Sequence, residues 1–121
     1  MSDIRDPQQL EPRLVACQRA GDIEGMMSLY EPGAVLDCGH EVLVGYEAIR
    51  NFFLADIAAG KKYGDNVQQE PLISNGLALT SARLPDGTVT AEIARQQADG
   101  SWRWVIDRFS IAREQMLQSR D

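Results

Sequence analysis

The sequence predicts an α+β fold in which a curved antiparallel sheet wraps around helices and leaves a cone-shaped pocket. Two amphipathic helices meet at Ala20-Gly21-Asp22, and after a short strand a third helix opens at Gly45-Tyr46-Glu47. Three turn signals then divide the remainder into four strands, the last being Trp102–Ala112. The element order is therefore ααβαββββ, and a pocket enclosed in this way favours a small-molecule site.

The composition indicates one globular domain over residues 1–121, with a polar tail from about 114 to 121. A formal net charge of −6 argues against a nucleic-acid partner, because phosphate binding needs a clustered positive surface. No apolar run is long enough for a membrane span and no hydrophobic signal segment is present, so we expect no membrane partner and a cytoplasmic location. Cys17, Cys38 and a single histidine show no metal-ligand spacing, so no metal is expected.

Capping residues mark the helix boundaries in the N-terminal half. Asp6 is a candidate N-cap, Pro7 fits the first helical position, and Gln9 completes a capping box. Gly21 ends this helix and Asp22 can cap the next. Apolar residues recur at helical spacing in all three helices: Leu10, Leu14 and Cys17, then Ile23, Met26, Met27 and Tyr30, then Ile49, Phe52, Phe53 and Ile57.

Strand signals lie on both sides of the third helix. Glu31-Pro32-Gly33 breaks the second helix before a strand over Ala34–Cys38, which ends in a turn or bulge at Gly39-His40-Glu41. The later strands are Asn66–Ile73, Leu77–Leu84, Thr88–Gln97 and Trp102–Ala112, separated by Ser74-Asn75-Gly76, Pro85-Asp86-Gly87 and Ala98-Asp99-Gly100. Short turns indicate antiparallel neighbours, and Pro71 indicates a sheet edge or a bulge.

Three segments in this order resemble the nuclear transport factor 2-like superfamily, in its SnoaL-like and ketosteroid-isomerase-like branch. Ala20–Tyr30 is similar to the family's second helix, with an Ala-Gly-Asp start and a Leu-Tyr end. Gly45–Phe53 is similar to its third helix, and Asp99–Trp104 is similar to the Asp-Gly-x-Trp start of its final strand. The resemblance extends over nearly the whole chain.

This resemblance implies a strongly curved sheet, a pocket between its concave face and the helices, and a homodimer formed through its outer surface. Steroid isomerases of the family carry a tyrosine on the first helix, an aspartate base at the end of the first strand and a second acid on a later strand. The matching positions here are Leu14, Cys38 and about Ala94, so steroid isomerase activity itself is not expected. Leu14 and Cys38 are expected to line the pocket.

Two residues near the end of the first strand are candidate catalytic groups. His40 is of a type that titrates near neutral pH, so it is either a general acid or base or a solvated turn residue. Asp37 lies one residue from the family's base position, and strand alternation directs it away from the pocket unless a bulge near Gly39 restores it.

Aromatic residues and the last strand supply further candidates. Tyr30, on the inner face of the second helix, either donates a hydrogen bond to a ligand oxygen or is a core aromatic. Phe53 aligns with a pocket aromatic of the family. Strand alternation places Trp104 and Arg108 on one face and Asp107 on the other, and the resemblance favours the first face as the pocket side.

An arginine in an apolar pocket requires a partner of opposite charge. For Arg108 the expected partner is Glu92 on the neighbouring strand, or else a ligand carboxylate. If the alternation is reversed, Asp107 lies inside instead.

Two functions are consistent with these residues. The first is a cofactor-free isomerase, cyclase or hydratase that acts on a small, largely apolar molecule by general acid–base catalysis. His40 or Asp37 would be the base, and Tyr30 and Arg108 would stabilise negative charge on oxygen. The second is a non-catalytic ligand-binding or dimerisation module of the same fold, because the family's catalytic groups are missing from their expected positions.

Overall fold

The structure is a computed structural model, and it describes residues 3–113. Within these residues, α-helices lie in the N-terminal half: α1 (Leu10–Arg19), which follows a 3₁₀ turn at Pro7–Gln9, α2 (Ile23–Met27) and α3 (Tyr46–Ala58). None of these helices is long and apolar enough to cross a membrane. The predicted polar tail lies outside the described residues.

The strands form one curved, mixed sheet. They are β1 (Tyr30–Asp37), β2 (Val42–Val44), β3 (Val67–Gln68), β4 (Leu72–Ser74), β5 (Leu77–Thr80), β6 (Ala82–Arg83), β7 (Thr88–Gln96) and β8 (Trp102–Arg113). Their order across the sheet is β2-β1-β8-β7-β5-β4, and β3 joins through β6, which pairs with β7. The predicted α+β class is confirmed.

Two details of the predicted sheet are wrong. β1 and β8 run parallel, whereas the other described pairs are antiparallel. Turn signals indicate the direction only of strands that follow one another in sequence. β1 and β8 are separated by residues 38–101, so no turn signal describes their pairing. The sheet is also curved without curling strongly, and β2 and β4 remain at its two ends, so it does not close into a cone-shaped barrel.

Most strands lie close to their predicted positions. Pro71 separates β3 from β4, because proline has no N–H to donate to a neighbouring strand. A break at Ser81 separates β5 from β6. The short β2 was not predicted, since its three residues lie between a turn and the start of a helix and show no alternation of their own.

Asp6 and Asp22 are N-caps as predicted, but Asp6 caps the 3₁₀ turn before α1, and no described side-chain bond of Gln9 completes a capping box. The predicted length of the second helix is wrong. Asp6 Oδ1 accepts from the Gln8 N–H at 2.9 Å, and Asp22 Oδ1 accepts from the Gly25 N–H at 2.9 Å. Helix α2 ends at Met27, and Tyr30 begins β1 instead of lying on a helix.

An irregularity in β8 decides which of its residues face the core. Between Trp104 and Ile106, β8 has one more residue than its partner β7. The extra residue, Val105, interrupts the alternation of side chains. As a result Trp104 and Asp107 both point inward and are 1% and 4% exposed, although they are three positions apart.

The β4–β5 turn offers a test of backbone strain. Asn75 and Gly76 have φ values of 51° and 76°, the left-handed pair that favours Asn-Gly in two-residue hairpin turns. We expect Gly76→Ala to lower the free energy of unfolding by about 1–2 kcal/mol, because an L side chain is disfavoured there. Sterics contribute little, since the added Cβ would lie 4.0 Å from Gln96 Cβ. Urea denaturation measures the change.

The matched control is Gly33→Ala, whose added Cβ meets nothing within 4 Å and whose φ is not positive. Equal free energies of unfolding for the two variants would contradict the explanation.

Candidate functional site

A row of polar side chains crosses the inner face of the sheet. Thr80 on β5, Glu92 on β7 and Asp107 on β8 are successive cross-strand partners. They are 7%, 5% and 4% exposed, so two carboxyl groups lie side by side away from water. Such burial costs free energy unless each group is hydrogen-bonded or held neutral.

Each group in the row has a hydrogen-bond partner. The Tyr30 hydroxyl, at the start of β1, donates to Asp107 Oδ2 at 2.6 Å. The Thr80 hydroxyl donates to Glu92 Oε1 at 2.6 Å, and Trp104 Nε1 donates to Thr80 Oγ1 at 3.2 Å. Among the described residues no buried side-chain nitrogen or oxygen lacks a partner. The row is therefore a completed polar network inside the core.

Burial favours the protonated forms of these groups. It raises the pKa of Glu92 to about 7, against the opposing effect of the Thr80 hydrogen bond. Burial, and then the neighbouring Glu92 carboxylate, raise the pKa of Asp107 well above its usual range. Burial, and then Asp107, likewise raise the pKa of Tyr30. Burial therefore shifts Asp107 and Tyr30 toward their protonated forms, and Glu92, with a pKa of about 7, exchanges its proton near neutral pH.

Apolar side chains enclose the network. The Tyr30 ring centroid lies 5.7 Å from that of Phe53 and 5.3 Å from that of Trp104. Phe53 is fully buried, and Leu14 on α1 belongs to the same core at 6% exposure. Three residues that the sequence analysis placed in a pocket, Phe53, Trp104 and Leu14, thus lie in the core around the network. In such surroundings hydrogen bonds are stronger than in water.

Glu11 lines a surface depression and interacts electrostatically with the buried acids. A depression of about 280 Å³ lies between α1 and residues 65–68, and Glu11 is part of its lining. The Asn66 amide donates to Glu11 Oε2, and burial raises the pKa of Glu11. The Glu11 charge also raises the pKa of Glu92 and of Asp107, so the three carboxyl groups interact.

A second depression, of about 450 Å³, lies beside the first residues of α1 and the turn before it. Neither depression is lined by a residue that the sequence analysis placed in the pocket. The described interior between sheet and helices is instead occupied by the buried side chains of the core.

The three residues considered as catalytic groups do not come together. Tyr30 and Asp37 stand at opposite ends of β1, where they pair with Trp104 and Arg108 of β8, four positions apart and thus roughly 10–14 Å along that strand. His40 is exposed on the β1–β2 turn, beside the half-buried Cys38. Tyr30 alone belongs to the buried network.

The expected pairing of Arg108 with Glu92 is wrong. Arg108 lies on the outer face with its side chain 59% exposed, and its Nε is 3.3 Å from Asp37 Oδ2 on the neighbouring strand β1. The cause is the irregularity at Val105, which turns Asp107 inward and Arg108 outward. Glu92 does face the core, but its described partner is Thr80.

Sequence reasoning did not single out Glu11 or Thr80. Glu11 has the pattern of an ordinary acidic residue in a first helical turn, and Thr80 that of an ordinary strand residue. The cross-strand match of Thr80 with Glu92 depends on the register of two strands that no tight turn joins. For Thr80 the available signal was a polar residue at a position of β5 that strand alternation directs toward the core. Glu11 had no such signal.

Comparison with known proteins identifies the fold. The sequence matches no protein-family model and no curated protein sequence. A nuclear transport factor 2-like protein of unknown function from Shewanella oneidensis MR-1 superposes with a TM-score of 0.67 at 18% identity, covering 84% of this chain and 93% of its own. A candidate ketosteroid isomerase from Shewanella frigidimarina NCIMB 400 gives 0.64 at 19% identity, covering 84% and 92%.

A third solved structure, a protein of unknown function with a cystatin-like fold from Nostoc punctiforme PCC 73102, gives a TM-score of 0.66 at 14% identity and covers 84% of each chain. The fold is therefore nuclear transport factor 2-like, which confirms the resemblance of the sequence. At these identities the likeness concerns the fold alone.

The raised pKa of Glu92 predicts an unusual pH dependence of stability. Glu92 titrates near 4.5 when unperturbed and near 7 in the folded protein. Between these values the folded state binds more protons than the unfolded state, so the free energy of unfolding falls as pH rises. From about pH 5 to pH 8, we expect wild type to lose more than about 1 kcal/mol relative to Glu92→Gln. Urea denaturation at several pH values measures both.

Glu70→Gln is the matched control, because Glu70 is exposed. This variant should keep the wild-type slope. Parallel profiles for wild type and Glu92→Gln would show that Glu92 does not titrate in this range.

Proposed function

We propose that this nuclear transport factor 2-like protein is a cofactor-free enzyme that transfers a proton beside a carbonyl group of a small, largely apolar molecule. The supporting observation is the buried Tyr30–Asp107 hydrogen bond of 2.6 Å next to Glu92, whose pKa lies near 7. An acid that exchanges its proton near working pH suits general acid–base catalysis. Two protonated groups beside it can donate to an oxygen that gains negative charge.

In the proposed reaction the Glu92 carboxylate removes a proton from the carbon next to the carbonyl. The electron pair of that C–H bond shifts onto the carbonyl oxygen, which accepts hydrogen bonds from Tyr30 and from protonated Asp107. The ligand oxygen takes the place of Asp107 Oδ2 as the acceptor of the Tyr30 hydroxyl. Return of the proton from Glu92 to another carbon completes an isomerisation. Return to the same carbon gives no new product and is detected only as exchange of that hydrogen with solvent.

Related chemistry supports the assignment of roles. In ketosteroid isomerase a tyrosine and a protonated aspartic acid bind the oxyanion together, in an apolar site. One of the solved structures similar to this chain is a candidate ketosteroid isomerase. Here the corresponding groups come from other positions, Tyr30 on β1 and Asp107 on β8, so we propose the class of chemistry and not a steroid substrate.

The proposed opening is the depression that Glu11 lines. It lies beside α1, and the charge of Glu11 raises the pKa of both buried acids, Glu92 and Asp107. Phe53, Trp104 and Leu14 would supply the apolar contacts for the ligand. His40, Asp37 and Arg108 have no part in this mechanism, because they lie at the far end of β1 or on the outer face.

Deuterium exchange tests the proposal. We expect the protein in D2O to accelerate exchange beside the carbonyl of small cyclic ketones and enones, monitored by proton NMR. Tyr30→Phe removes one donor to the developing oxyanion and should reduce the rate by roughly 100-fold or more. Glu92→Gln removes the base and should abolish the acceleration. Binding of 2-naphthol, a mimic of the enolate, should weaken in Tyr30→Phe.

Tyr46→Phe is the matched control, since the Tyr46 hydroxyl reaches Glu24 on the protein surface at 3.3 Å. This variant should keep wild-type exchange and naphthol binding. The proposal would be wrong if wild type, Tyr30→Phe and Tyr46→Phe bound naphthol equally and none of them exchanged ketone protons faster than buffer.

A second candidate function, a dimerising module without catalysis, is favoured by the outer face of the sheet. Cross-strand partners there form one apolar row over six strands: Leu72, Leu79, Ile93, Ile106, Val35 and Val44. Leu72, Ile106 and Val44 are 69%, 47% and 66% exposed, and an exposed apolar patch of this extent marks an association surface.

A second copy of the chain is the proposed partner for this row. Arg108 pairs with Asp37 at 3.3 Å and Arg95 pairs with Glu31 at 2.9 Å, so charges on the outer strands are already balanced within one chain. Two such faces can therefore meet about a two-fold axis without net repulsion from these residues.

Replacement of one residue in the row tests the dimer. We expect wild type to sediment as a dimer and Ile106→Lys to sediment as a monomer, because the charge would be buried unpaired between the two sheets. Val67→Lys, at another exposed apolar residue outside the row, should stay dimeric. A monomeric wild type over a full concentration series would contradict this function.

A further inference from the structure

The turn between β1 and β2 brings together three side chains of metal-binding type. One donor atom each from Cys38, His40 and Glu41 lies within 4.8 Å of the other two. The Cys38 N–H donates to the Glu41 carbonyl at 3.1 Å and closes the turn. We propose that these residues bind a divalent metal ion of the zinc class.

The spacing of the donor atoms fits a small tetrahedral ion. Zinc binds thiolate sulfur at about 2.3 Å and imidazole nitrogen at about 2.0–2.1 Å, so the two donors stand about 3.6 Å apart at a tetrahedral angle. Cys38 Sγ and His40 Nε2 are 3.9 Å apart, a difference that a small side-chain rotation removes. The Glu41 carboxylate supplies a third ligand and leaves a fourth position for water.

The contacts of the three groups are weak or within the turn: the Cys38 thiol donates to the Glu41 carbonyl at 3.5 Å, a bond that metal binding would replace. Within residues 3–113 the Glu41 carboxylate has no ion-pair or hydrogen-bond partner, and the described contact of the His40 ring is with Cys38 Sγ. The nearest further acid, Asp37, is engaged by Arg108 at 3.3 Å and by the Gly39 N–H at 2.9 Å. An unpaired carboxylate, an imidazole and a thiol thus converge where no described cation neutralises them.

The set of donors selects the class of ion. Thiolate and imidazole favour zinc and similar transition metals over magnesium or calcium, which prefer oxygen alone. On binding, the Cys38 thiol releases its proton to solvent, and the thiolate and the Glu41 carboxylate balance the two charges of the ion. None of the three residues belongs to the buried network of Tyr30, Glu92 and Asp107, so this proposal does not depend on the proposed function.

Cobalt titration of the full-length, reduced and chelator-treated protein tests the site. We expect Co²⁺ to bind one ion per chain with a near-ultraviolet thiolate-to-cobalt charge-transfer band, and Zn²⁺ to displace it. His40→Gln and Glu41→Gln should each weaken binding at least 10-fold, since loss of even an outer-shell partner costs about 10–100-fold. Cys38→Ser should remove the charge-transfer band. These residues lie on an exposed or half-buried turn, so the fold should be retained.

Two variants serve as matched controls. Cys17→Ala removes the other cysteine, which is buried in α1, and Glu70→Gln removes an exposed carboxylate elsewhere. Both should keep wild-type affinity and spectrum. Equal affinity in wild type, His40→Gln and Glu41→Gln would overturn the proposal, as would binding without the thiolate band or with one ion per two chains.

Discussion

The hydrogen bond between Tyr30 and Asp107 joins the first strand of the sheet to the last one inside the core. Both residues are almost fully buried, and neither position follows from regular alternation alone. Asp107 faces inward because Val105 is an extra residue in β8, and the pairing of β1 with β8 shifts between Tyr30 and Val35. Two irregularities in the ladders are thus needed to bring one hydroxyl and one carboxyl together.

The hydrogen bond between Tyr30 and Asp107 also helps to explain how two carboxyl groups, Glu92 and Asp107, are buried in a small core. Burial and Glu92 raise the pKa of Asp107, which favours its neutral form. Glu92 accepts a hydrogen bond from Thr80, which accepts one from Trp104 in turn. A network in which every group is satisfied costs far less than one with a missing member. Apolar residues of similar size would pack with less cost, so the retention of these groups is consistent with a chemical role.

Local signals account for the parts of the fold that the sequence predicted. The caps at Asp6 and Asp22 and the turn at Asn75-Gly76 depend on residues close in sequence, and the structure confirms the caps and the turn. The parallel pairing of β1 with β8 could not be predicted, because it depends on long-range contacts. The direction of Asp107 was left open for a similar reason: Val105 has no feature that marks an irregular position.

In the candidate site, too, the features set by local sequence could be predicted and those set by long-range contacts could not. Helical spacing placed Phe53 on the buried face of α3, and the structure has it there. The inward face of Trp104 came from the family resemblance, because alternation alone left the two faces of β8 open. Arg108 was placed inward only because the alternation was extended across Val105. The proximity of Glu11 to the acids on the sheet required the packing of α1, which no pattern within one element describes.

The parallel pairing of β1 with β8 also bears on how the chain is made. Both strands have neighbours on either side in the sheet, yet residues 38–101 separate them along the chain. A nascent chain leaving the ribosome therefore holds Leu36 and Tyr30 without their β8 partners until residues 102–113 have been made. Closing so long a loop is slow compared with forming a hairpin, so the pairing of β1 with β8 is expected to form late and to set the folding rate.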